Sequence, residues 1–401
     1  MSATSALKLP DEQGAATERQ RPLLLSFDPL LLLAALGLMA VSFAVLHGGF
    51  PGHSYAKRQL VYAGAGLVAA AVISRFDYSH LRHLRYGLYG LCVFLNLVVF
   101  AMPAQGPAGG AAHRWIPLPL LNFQSSEFGK VLLVVALAAF AVDRSRRLSE
   151  RATVVRVMLL ALVPAMIVIK QPDLGTGLVY IAMAFAVLLF VGIGWRYLAG
   201  LVALFAVAVT LMLAAGPAVG INVLHSYQKQ RLTTFIAPPA VCNATTDNTC
   251  YQLEQSEVAI GSGGKTGRSV SGATQTTGGF LPIANEDFIF AVVGEIYGFA
   301  GAAVVLSLYA LMIWRTLRIV AMAKNLLGTL IAGGLLAMFM FQVFLNIGMT
   351  IGIMPVTGVP LPLLSYGGSS VIVTFIAIGL LESIHIQARR ATSSKARVLI
   401  S

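Results

Sequence analysis

The feature that most constrains this chain is a series of apolar stretches, each about 20 residues long and separated by short polar segments. A helix of roughly 20 apolar residues is long enough to cross the hydrocarbon core of a bilayer. We predict ten transmembrane helices, at residues 27–46, 59–74, 85–103, 127–142, 153–169, 174–192, 197–216, 286–314, 328–352 and 369–388. Of the 401 residues, 57% are hydrophobic and only 11% are charged, whereas a soluble domain usually carries about 25% charged residues. The sequence therefore predicts an all-α, polytopic integral membrane protein.

The positions of Lys and Arg predict how the helices are oriented. Cytoplasmic loops of membrane proteins are enriched in these residues. If the N-terminus is cytoplasmic and the chain alternates sides, most of the 28 Lys and Arg residues fall on six short inside segments. On a soluble domain the net charge of +12 would suggest a nucleic-acid partner. Here the charge follows the membrane sidedness, so we expect membrane lipids as the surroundings and no nucleic acid.

This topology divides the chain into three parts. We predict a cytoplasmic N-terminal tail (1–24), a transmembrane domain (25–390) and a cytoplasmic C-terminal tail (391–401). Within the transmembrane domain, residues 217–285 form one large extracytoplasmic loop between the seventh and eighth spans. Both termini are expected in the cytoplasm.

The three cysteines divide into one apolar site and one pair. Cys92 lies within an apolar run and is predicted to be a small packing residue. Cys242 and Cys250 flank a short polar stretch in the outer loop, where an oxidising compartment permits a disulfide. We predict that disulfide; the alternative is a pair of free thiols in a variable insertion. No Cys/His spacing typical of a zinc site is found.

Ionisable residues near the predicted outer ends of the spans are candidates for function, because such groups are costly at membrane depth. Glu127 and Lys130 lie three residues apart at the start of a helix and therefore share a face. They form either a local ion pair or a polar wall of an outward-facing cavity. Asp173 follows a break in helix continuity at Pro172, and it either caps the next helix or contributes to the same cavity.

A glycine-rich segment, AIGSGGKT at 259–266, resembles a relaxed phosphate-binding loop. A working P-loop requires a preceding buried strand and access to cytoplasmic nucleotide, and an outer loop offers neither. We therefore assign no ATP site. Backbone N–H groups at the glycines, with the charges of Lys265 and Arg268, can still bind an anion such as pyrophosphate.

Two further segments carry unusual residues at the predicted outer surface. In residues 280–299, Asn285 or Glu286 is expected to cap a helix that begins at Asp287, which is the simplest explanation of the adjacent acids. The alternative is that these carboxylates abstract a proton from a substrate. In residues 346–372, three prolines and repeated glycines predict a re-entrant or extended loop that lines a groove.

Five segments together resemble motifs of the SEDS family (shape, elongation, division and sporulation), which includes the RodA and FtsW proteins. They are HRWIPLPLLNFQSSEFGK (113–130), KQPDLGTGLVY (170–180), YQLEQSEVAIGSGG (251–264), LPIANEDFIFAVVGE (281–295) and NIGMTIGIMPVTGVPLPLLSYGGSS (346–370), in family order. The resemblance covers roughly residues 25–390, and its last motif is long and specific. GATQTTGGFLP (272–282) is closer to the RodA style of this loop than to the FtsW style.

The resemblance implies an inverting glycosyltransferase that polymerises lipid II, an undecaprenyl-pyrophosphate-linked disaccharide-pentapeptide, into glycan strands during cell elongation. It places this activity at the outer face of the bacterial inner (cytoplasmic) membrane. It also implies a cognate class B penicillin-binding protein, a transpeptidase, as partner in an elongation or division complex. The alternatives are a lipid II flippase, an FtsW-like septal polymerase and an inert scaffold for the transpeptidase. No cofactor is required by the motifs, and a divalent cation, Mg²⁺ or Mn²⁺, is left open.

Residue by residue, the family's essential aspartate falls on Asp287. The resemblance and the residue patterns together give the expected substrate-binding set, which is Arg114, Trp115, Gln124, Glu127, Lys130, Lys170, Asp173, Ser262, Lys265, Arg268, Pro360, Ser365, Gly367 and Ser369. The chain departs from the family pattern at Ile283, where Glu is usual, and at Asn285-Glu286, where His-Thr is usual. Ser125 replaces Pro, and Lys265 stands where Leu is common. These departures affect the expected contacts with the acceptor sugar, whereas the aspartate itself is present.

Overall fold

The computed structural model describes residues 27–102, 114–117, 122–144, 151–214 and 248–398. The whole predicted N-terminal tail, residues 217–247 of the predicted outer loop and residues 399–401 of the predicted C-terminal tail lie outside these ranges. Cys242 also lies outside them, so its disulfide with Cys250 stays a prediction. Cys92 is a buried free thiol, in agreement with its expected packing role.

The described residues form thirteen α-helices and one short hairpin. The helices are α1 (Pro29–Gly49), α2 (Tyr55–Ile73), α3 (Arg85–Val98), α4 (Ser125–Asp143), α5 (Arg151–Lys170), α6 (Leu174–Val191), α7 (Trp195–Ala214), α8 (Asn248–Gly263), α9 (Ser269–Gly272), α10 (Thr274–Thr277), α11 (Ile289–Met322), α12 (Leu326–Thr350) and α13 (Gly368–Val398). The strands are β1 (Trp115–Pro117) and β2 (Asn122–Gln124), and 3₁₀ turns cover Tyr78–Arg82 and Val99–Ala101.

A helix occupies each of the ten predicted apolar stretches, which confirms the all-α polytopic fold. Among the described residues, seven helices are long and apolar enough to cross a membrane: α1, α4, α5, α6, α11, α12 and α13. The apolar helices Arg85–Ala101 and Trp195–Leu204 are shorter, and α2 carries Lys57, Arg58 and Gln59 in its first turns. Length and hydropathy therefore identify seven candidate spans among the described residues and do not confirm the predicted count of ten.

The N-terminal end of α1 is fixed by a buried charge that the sequence analysis did not single out. Asp28 caps α1 by accepting hydrogen bonds from the N–H groups of Leu30 and Leu31. Its carboxylate also pairs with Arg315 of α11, Nε to Oδ2 2.9 Å, and its own N–H donates to Glu382 of α13 at 2.9 Å. Three helices distant in sequence are thereby joined at one end of the bundle.

Small residues permit the close helix contacts at the centre of the bundle. A Cβ at Gly379 of α13 would lie 2.7 Å from Cα of Ala70 on α2, and one at Gly66 would lie 2.5 Å from the Phe375 ring. Such positions let membrane helices pack with their backbones in near contact. α13 is consequently the most enclosed of the seven spans, with 89% of its apolar window buried.

The β-hairpin, which the apolar pattern does not predict, fastens the start of α4 to the start of α13. Its strands are antiparallel, with Trp115 opposite Gln124. Ser369 accepts a hydrogen bond from the Gln124 N–H at 3.0 Å and donates one to the Asn122 carbonyl at 2.8 Å. Two of the expected substrate-binding residues, Gln124 and Ser369, are thus in direct contact.

Candidate functional site

Asp287 lies in a turn whose main chain is held from outside by three consecutive hydrogen bonds. The carbonyl of Asn285 accepts from the N–H of Tyr366 at 2.9 Å, and that of Glu286 accepts from Ser365 Oγ at 2.5 Å. The carbonyl of Asp287 accepts from Asn346 Nδ2 at 2.8 Å. Asp287 itself is half-buried. The position of this carboxylate is therefore set by α12 and by the segment that follows it.

The predicted helix cap at this turn is wrong. The helix α11 begins at Ile289 with Phe288 at its N-cap, and no side chain caps it. The N–H groups of Glu286 and Asp287 both donate to the Ile283 carbonyl, at 3.1 and 3.2 Å. Because that turn uses these donors and the external bonds hold the following carbonyls, the helix starts two residues later than expected, and Asp287 precedes it.

The segment between α12 and α13 is non-helical, as its prolines and glycines predict. Asn346 Nδ2 donates to the Val359 carbonyl at 2.7 Å, and the Leu361 N–H donates to Ser365 Oγ at 2.9 Å. Ser365 is buried, while Pro360 is half-buried. The extended-loop prediction is confirmed; that this loop lines a groove stays a prediction.

Glu127 and Lys130 form an ion pair within the first turns of α4. Lys130 Nζ lies 2.6 Å from Glu127 Oε1, and each side chain is only 1% exposed. The local-pair interpretation of their spacing is confirmed. Since both groups are enclosed, they do not form the wall of an open cavity in this conformation.

Asp173 caps α6, which is one of the two roles expected for it. Its carboxylate accepts from the Thr176 N–H at 3.0 Å, from Ser126 Oγ at 3.1 Å and from Gln124 Nε2 at 3.3 Å. It is 3% exposed. The same carboxylate therefore ties the start of α6 to the start of α4, next to the Glu127–Lys130 pair.

Arg114 fixes the break between α5 and α6. Its Nε donates to the Gln171 carbonyl at 3.1 Å, and its Nη2 donates to the Pro172 carbonyl. Trp115, the next residue, is half-buried in β1, whereas Lys170 at the end of α5 is exposed. The Arg114 guanidinium is therefore already bound to main-chain oxygens of this break.

The glycine-rich segment docks on α11 instead of forming a phosphate cradle. Gly298 interrupts α11 with φ 64° and ψ −158°, and the N–H groups freed there, of Phe299 and Ala300, donate to the carbonyls of Gly264 and Lys265 at 2.9 and 3.1 Å. A Cβ at Gly263 would lie 1.9 Å from the Gly294 carbonyl oxygen. The glycines thus permit contact between two backbones.

This docking also uses N–H groups that an anion would need. The Gly267 N–H donates to the main-chain carbonyl of Gly263, and the Arg268 N–H donates to the main-chain carbonyl of Glu295, both at 2.9 Å. The side chains of Lys265 and Arg268 remain exposed, with Arg268 Nε donating to the Ser262 carbonyl at 2.8 Å. Pyrophosphate binding by these side chains stays a prediction.

Glu295, a fully buried acid of α11, holds the other end of the docked loop. Its carboxylate accepts from the N–H groups of Gln275 and Thr276 at 2.8 and 2.9 Å and from Thr276 Oγ1 at 2.6 Å. These bonds satisfy the N-terminus of α10, as expected for a carboxylate at a helix start. The loop is therefore hydrogen-bonded to α11 at two places, at the Glu295 side chain and at the break beside Gly298.

Electrostatically, Glu286 differs from an ordinary surface carboxylate. Burial raises the pKa of the Glu286 carboxyl from 4.5 to about 7, and the charge of Asp287 adds to the effect. For a divalent cation, the described part of the chain offers no group of three or more His, Cys, Asp or Glu side chains that could hold a metal. We therefore derive no step through a metal ion.

The segment 357–370 joins the Asp287 turn, the strand before α4 and the start of α6, whereas Ser262, Lys265 and Arg268 lie in the loop that docks on α11. It contacts the Asp287 turn through Ser365 and the strand before α4 through Ser369, while a Cβ at Gly175 of α6 would lie 2.2 Å from Val359. Asn346 was missed as a site residue. Its signal is an amide within an apolar span, which is costly there unless it is hydrogen-bonded.

Comparison with known proteins gives the same picture for nearly the whole chain. A family model described as "Cell cycle protein" (FtsW/RodA/SpoVE) matches residues 23–390. The peptidoglycan glycosyltransferase MrdB of Escherichia coli K12 is 34% identical over 369 residues, covering 92% of this chain and 95% of that protein.

Two solved structures share the fold. One, described as structural coordination of polymerization and crosslinking by a peptidoglycan synthase complex, matches with a TM-score of 0.76 at 30% identity, covering 91% of this chain and 99% of its own. The rod shape determining protein RodA of Thermus thermophilus matches with a TM-score of 0.64 at 28% identity, covering 91% and 98% of the two chains.

Proposed function

The chain belongs to the FtsW/RodA/SpoVE family of cell cycle proteins, and from this premise we propose that it is a peptidoglycan glycosyltransferase. It polymerises lipid II into glycan strands at the outer face of the bacterial cytoplasmic membrane. The name of the Escherichia coli relative supports the activity. Because lipid II is anchored by its undecaprenyl chain, the reacting sugars are expected at the membrane boundary, where the spans end.

Asp287 carries this proposal. It is a half-buried carboxylate that precedes α11, and its main chain is held by hydrogen bonds from Tyr366, Ser365 and Asn346. A base must be held within hydrogen-bonding reach of the proton that it removes, and residues on a braced turn can meet that requirement. The family's essential aspartate also falls on this position.

In the proposed reaction a 4-hydroxyl group of one sugar attacks the anomeric carbon of the growing glycan. Asp287 takes the hydroxyl proton, the new glycosidic bond forms with inversion, and the bond to undecaprenyl pyrophosphate breaks. The leaving group departs with the bonding electron pair. General-base catalysis of this kind typically contributes about 10²–10⁴-fold in rate.

The leaving pyrophosphate requires positive charge near its oxygens. Lys265 and Arg268 are exposed and carry this role in our proposal, together with Arg114 and Lys130. Lys130 is paired with Glu127 and Arg114 is bound to main-chain oxygens, so both would have to change partners to contact the substrate. The turn that carries Lys265 and Arg268 packs on residues 295–300, roughly two to three helical turns after Asp287.

The proposal includes a crosslinking partner and a role in elongation. A structural neighbour is described as coordinating polymerization and crosslinking, which supports a class B penicillin-binding protein as the partner. The name of the Thermus thermophilus neighbour, a rod shape determining protein, supports elongation over septation. Depletion of the protein in its host should therefore give round cells; filamentous cells would indicate a division role.

Polymerisation from purified lipid II tests the activity. The wild-type protein should form glycan polymer, and Asp287→Asn and Asp287→Ala should lower the rate by about 10²–10⁴-fold. Glu254→Gln, a change at an exposed carboxylate of α8, serves as the control and should leave the rate unchanged. Near-normal polymer from Asp287→Asn would exclude the base role.

A liposome assay separates the enzyme from a flippase. Lipid II is supplied only to the outer leaflet of vesicles that contain the protein in the physiological orientation. A polymerase forms glycan under these conditions, whereas a flippase forms none and instead moves lipid II between leaflets.

A further inference from the structure

A group of aromatic side chains lies at the same end of the bundle as Asp287 and is not used by the proposed mechanism. The rings of His53 and Tyr55 are stacked, with centroids 4.9 Å apart and planes 10° from parallel. Tyr55 in turn contacts the ring of Tyr366 at 4.7 Å, and Phe50 meets Tyr55 edge-on at 6.0 Å. His53 is exposed, whereas Tyr55 and Tyr366 are half-buried.

This aromatic group is fastened to the turn that holds Asp287. The N–H of Tyr366 donates to the Asn285 carbonyl at 2.9 Å, two residues before Asp287. Gln59 of α2 donates from Nε2 to the Ser365 carbonyl at 3.0 Å and accepts from the Gly367 N–H at 3.4 Å. The first turns of α2 are therefore bonded to the same short segment that positions the carboxylate.

Two cations accompany the rings. Lys57 and Arg58 are both exposed, and Arg58 lies close enough to Tyr366 for its positive charge to act on the Tyr366 hydroxyl, whose pKa it lowers. Burial raises the pKa of the Tyr366 hydroxyl to about 12, so this partner is neutral at physiological pH. Neither cation forms an ion pair with any residue that the structure describes. Elsewhere in the bundle, Arg82, Arg85 and Arg315 each pair with an aspartate.

Aromatic rings beside exposed cations match one class of ligand. The electron-rich face of an aromatic ring attracts the weakly positive C–H groups of an apolar surface, such as one face of a sugar. An Arg guanidinium binds phosphate oxygens in a planar, two-pronged geometry. A molecule that joins a saccharide to a pyrophosphate satisfies both groups at once.

We propose that His53, Tyr55, Arg58 and Tyr366 form a binding subsite for a pyrophosphate-linked saccharide, with the sugar on the rings and the pyrophosphate on Arg58 and Lys57. The inference rests on the proposed function for the identity of the ligand. It adds the first turns of α2 to the substrate site, whereas the five family-like segments all lie after residue 112. Anionic lipid headgroups share the phosphate chemistry of this ligand, so the test must separate the two.

Equilibrium binding tests the subsite in nanodiscs of zwitterionic phosphatidylcholine, which present no anionic headgroup. The background is Asp287→Asn, which prevents turnover, and the probes are lipid II and undecaprenyl pyrophosphate. Tyr55→Leu should weaken lipid II binding by about tenfold and leave undecaprenyl pyrophosphate unchanged, because it removes the central ring of the aromatic group and keeps Lys57 and Arg58. Arg58→Gln should weaken both probes by about tenfold, because it removes a charged hydrogen bond to phosphate.

Matched variants separate these effects from folding. Tyr55→Phe keeps the ring and should retain lipid II affinity. Tyr86→Leu, an exposed aromatic of α3, and Arg75→Gln, an exposed arginine just after α2, should bind both probes like the background protein. Melting temperatures of all variants are compared in the same nanodiscs, and the affinities are expressed per folded protein.

Each outcome decides the proposal. Unchanged lipid II affinity in Tyr55→Leu would exclude the saccharide contact, and unchanged affinity of Arg58→Gln for both probes would exclude the pyrophosphate contact. If the effect of Arg58→Gln appears only in discs that contain anionic lipid, the cations serve headgroups and the subsite is rejected. Absence of polymer from the wild-type protein would overturn the proposed function, whereas these affinities would still decide the subsite.

Discussion

Asn346 Nδ2 lies 2.8 Å from the main-chain oxygen of Asp287 and donates a hydrogen bond to it. The same amide nitrogen donates to the Val359 carbonyl at 2.7 Å, and the side chain is fully buried. One amide of α12 therefore joins the turn before α11 to the extended segment after α12. If Asp287 is the catalytic base, Asn346 is a positioning residue for it.

Replacement of Asn346 by Leu should reduce polymerisation more than stability alone explains. The change leaves two buried carbonyls without this donor, at a cost of about 1–3 kcal/mol for each, and it frees the main chain of Asp287. We expect kcat per folded protein to fall at least tenfold while KM changes little, measured on purified lipid II.

Asn325→Ala is the matched control for that variant. Asn325 caps α12 by accepting from the Gly328 N–H at 2.9 Å, so its loss should cost about 1 kcal/mol of stability without changing kcat per folded protein. If Asn346→Leu lowers only the melting temperature, in the manner of the control, then Asn346 does not position the base.

Glu127→Gln and Lys130→Met should each destabilise the protein strongly, because each leaves the other buried charge unpaired. The expected loss is about 3–5 kcal/mol in the free energy of unfolding. The double variant should recover most of that stability, since no unpaired charge remains. Thermal denaturation in detergent measures the three variants. Polymerisation by the double variant then separates a structural pair from a substrate contact: a recovered rate would show that the pair only supports the fold.

Gly298→Ala should undock the glycine-rich loop from α11. A Cβ there would lie 2.3 Å from the Gly267 nitrogen, and the φ of 64° with ψ of −158° is accessible to glycine almost alone. We expect a loss of roughly 1–3 kcal/mol or more, with faster amide hydrogen exchange in residues 264–277. Gly64→Ala, at an exposed helix position with no atom within 4 Å, should instead stabilise by about 0.5–1 kcal/mol. Equal exchange in both variants would contradict the docking role.

The carboxyl of Glu286 should make stability depend on pH near neutrality. Its pKa is raised in the folded protein from 4.5 to about 7, so folding favours the protonated form. Between these two values the folded state binds more protons than the unfolded state, and stability falls as pH rises. Glu286→Gln, which resembles the protonated form, should match the wild type near pH 4.5 and melt at a higher temperature above pH 7. The check is the difference in melting temperature between the two proteins across this range; a difference that does not vary with pH would exclude the assignment.

Predictions from the sequence succeeded where the deciding contacts are local. Runs of Leu, Val and Ala locate the spans because every turn of such a helix is apolar. The spacing of Glu127 and Lys130 gives their ion pair, and Asp173 followed by Thr176 gives the α6 cap. In each case the partners are within one helical turn, so backbone geometry alone brings them together.

The same local reasoning failed at the turn before α11 and at the glycine-rich loop. Asn285 and Glu286 do not cap α11, because residues from 346 to 366 hold their part of the chain. The sequence alone gives no sign that the helix is interrupted at Gly298, because glycine also occurs within continuous apolar helices. Its break becomes possible only where carbonyls of residues 264 and 265 are available to the freed N–H groups.

By itself, the sequence determined that this chain is a helical membrane protein, where its apolar helices lie and which family it resembles, because hydropathy, helix caps and motifs depend on residues close in the chain. Only the tertiary structure decided that Asn346 holds Asp287, that Glu295 and Gly298 anchor the glycine-rich loop, and that α2 meets Tyr366. These contacts join residues far apart in sequence, and they follow from how the helices pack, which no local pattern encodes.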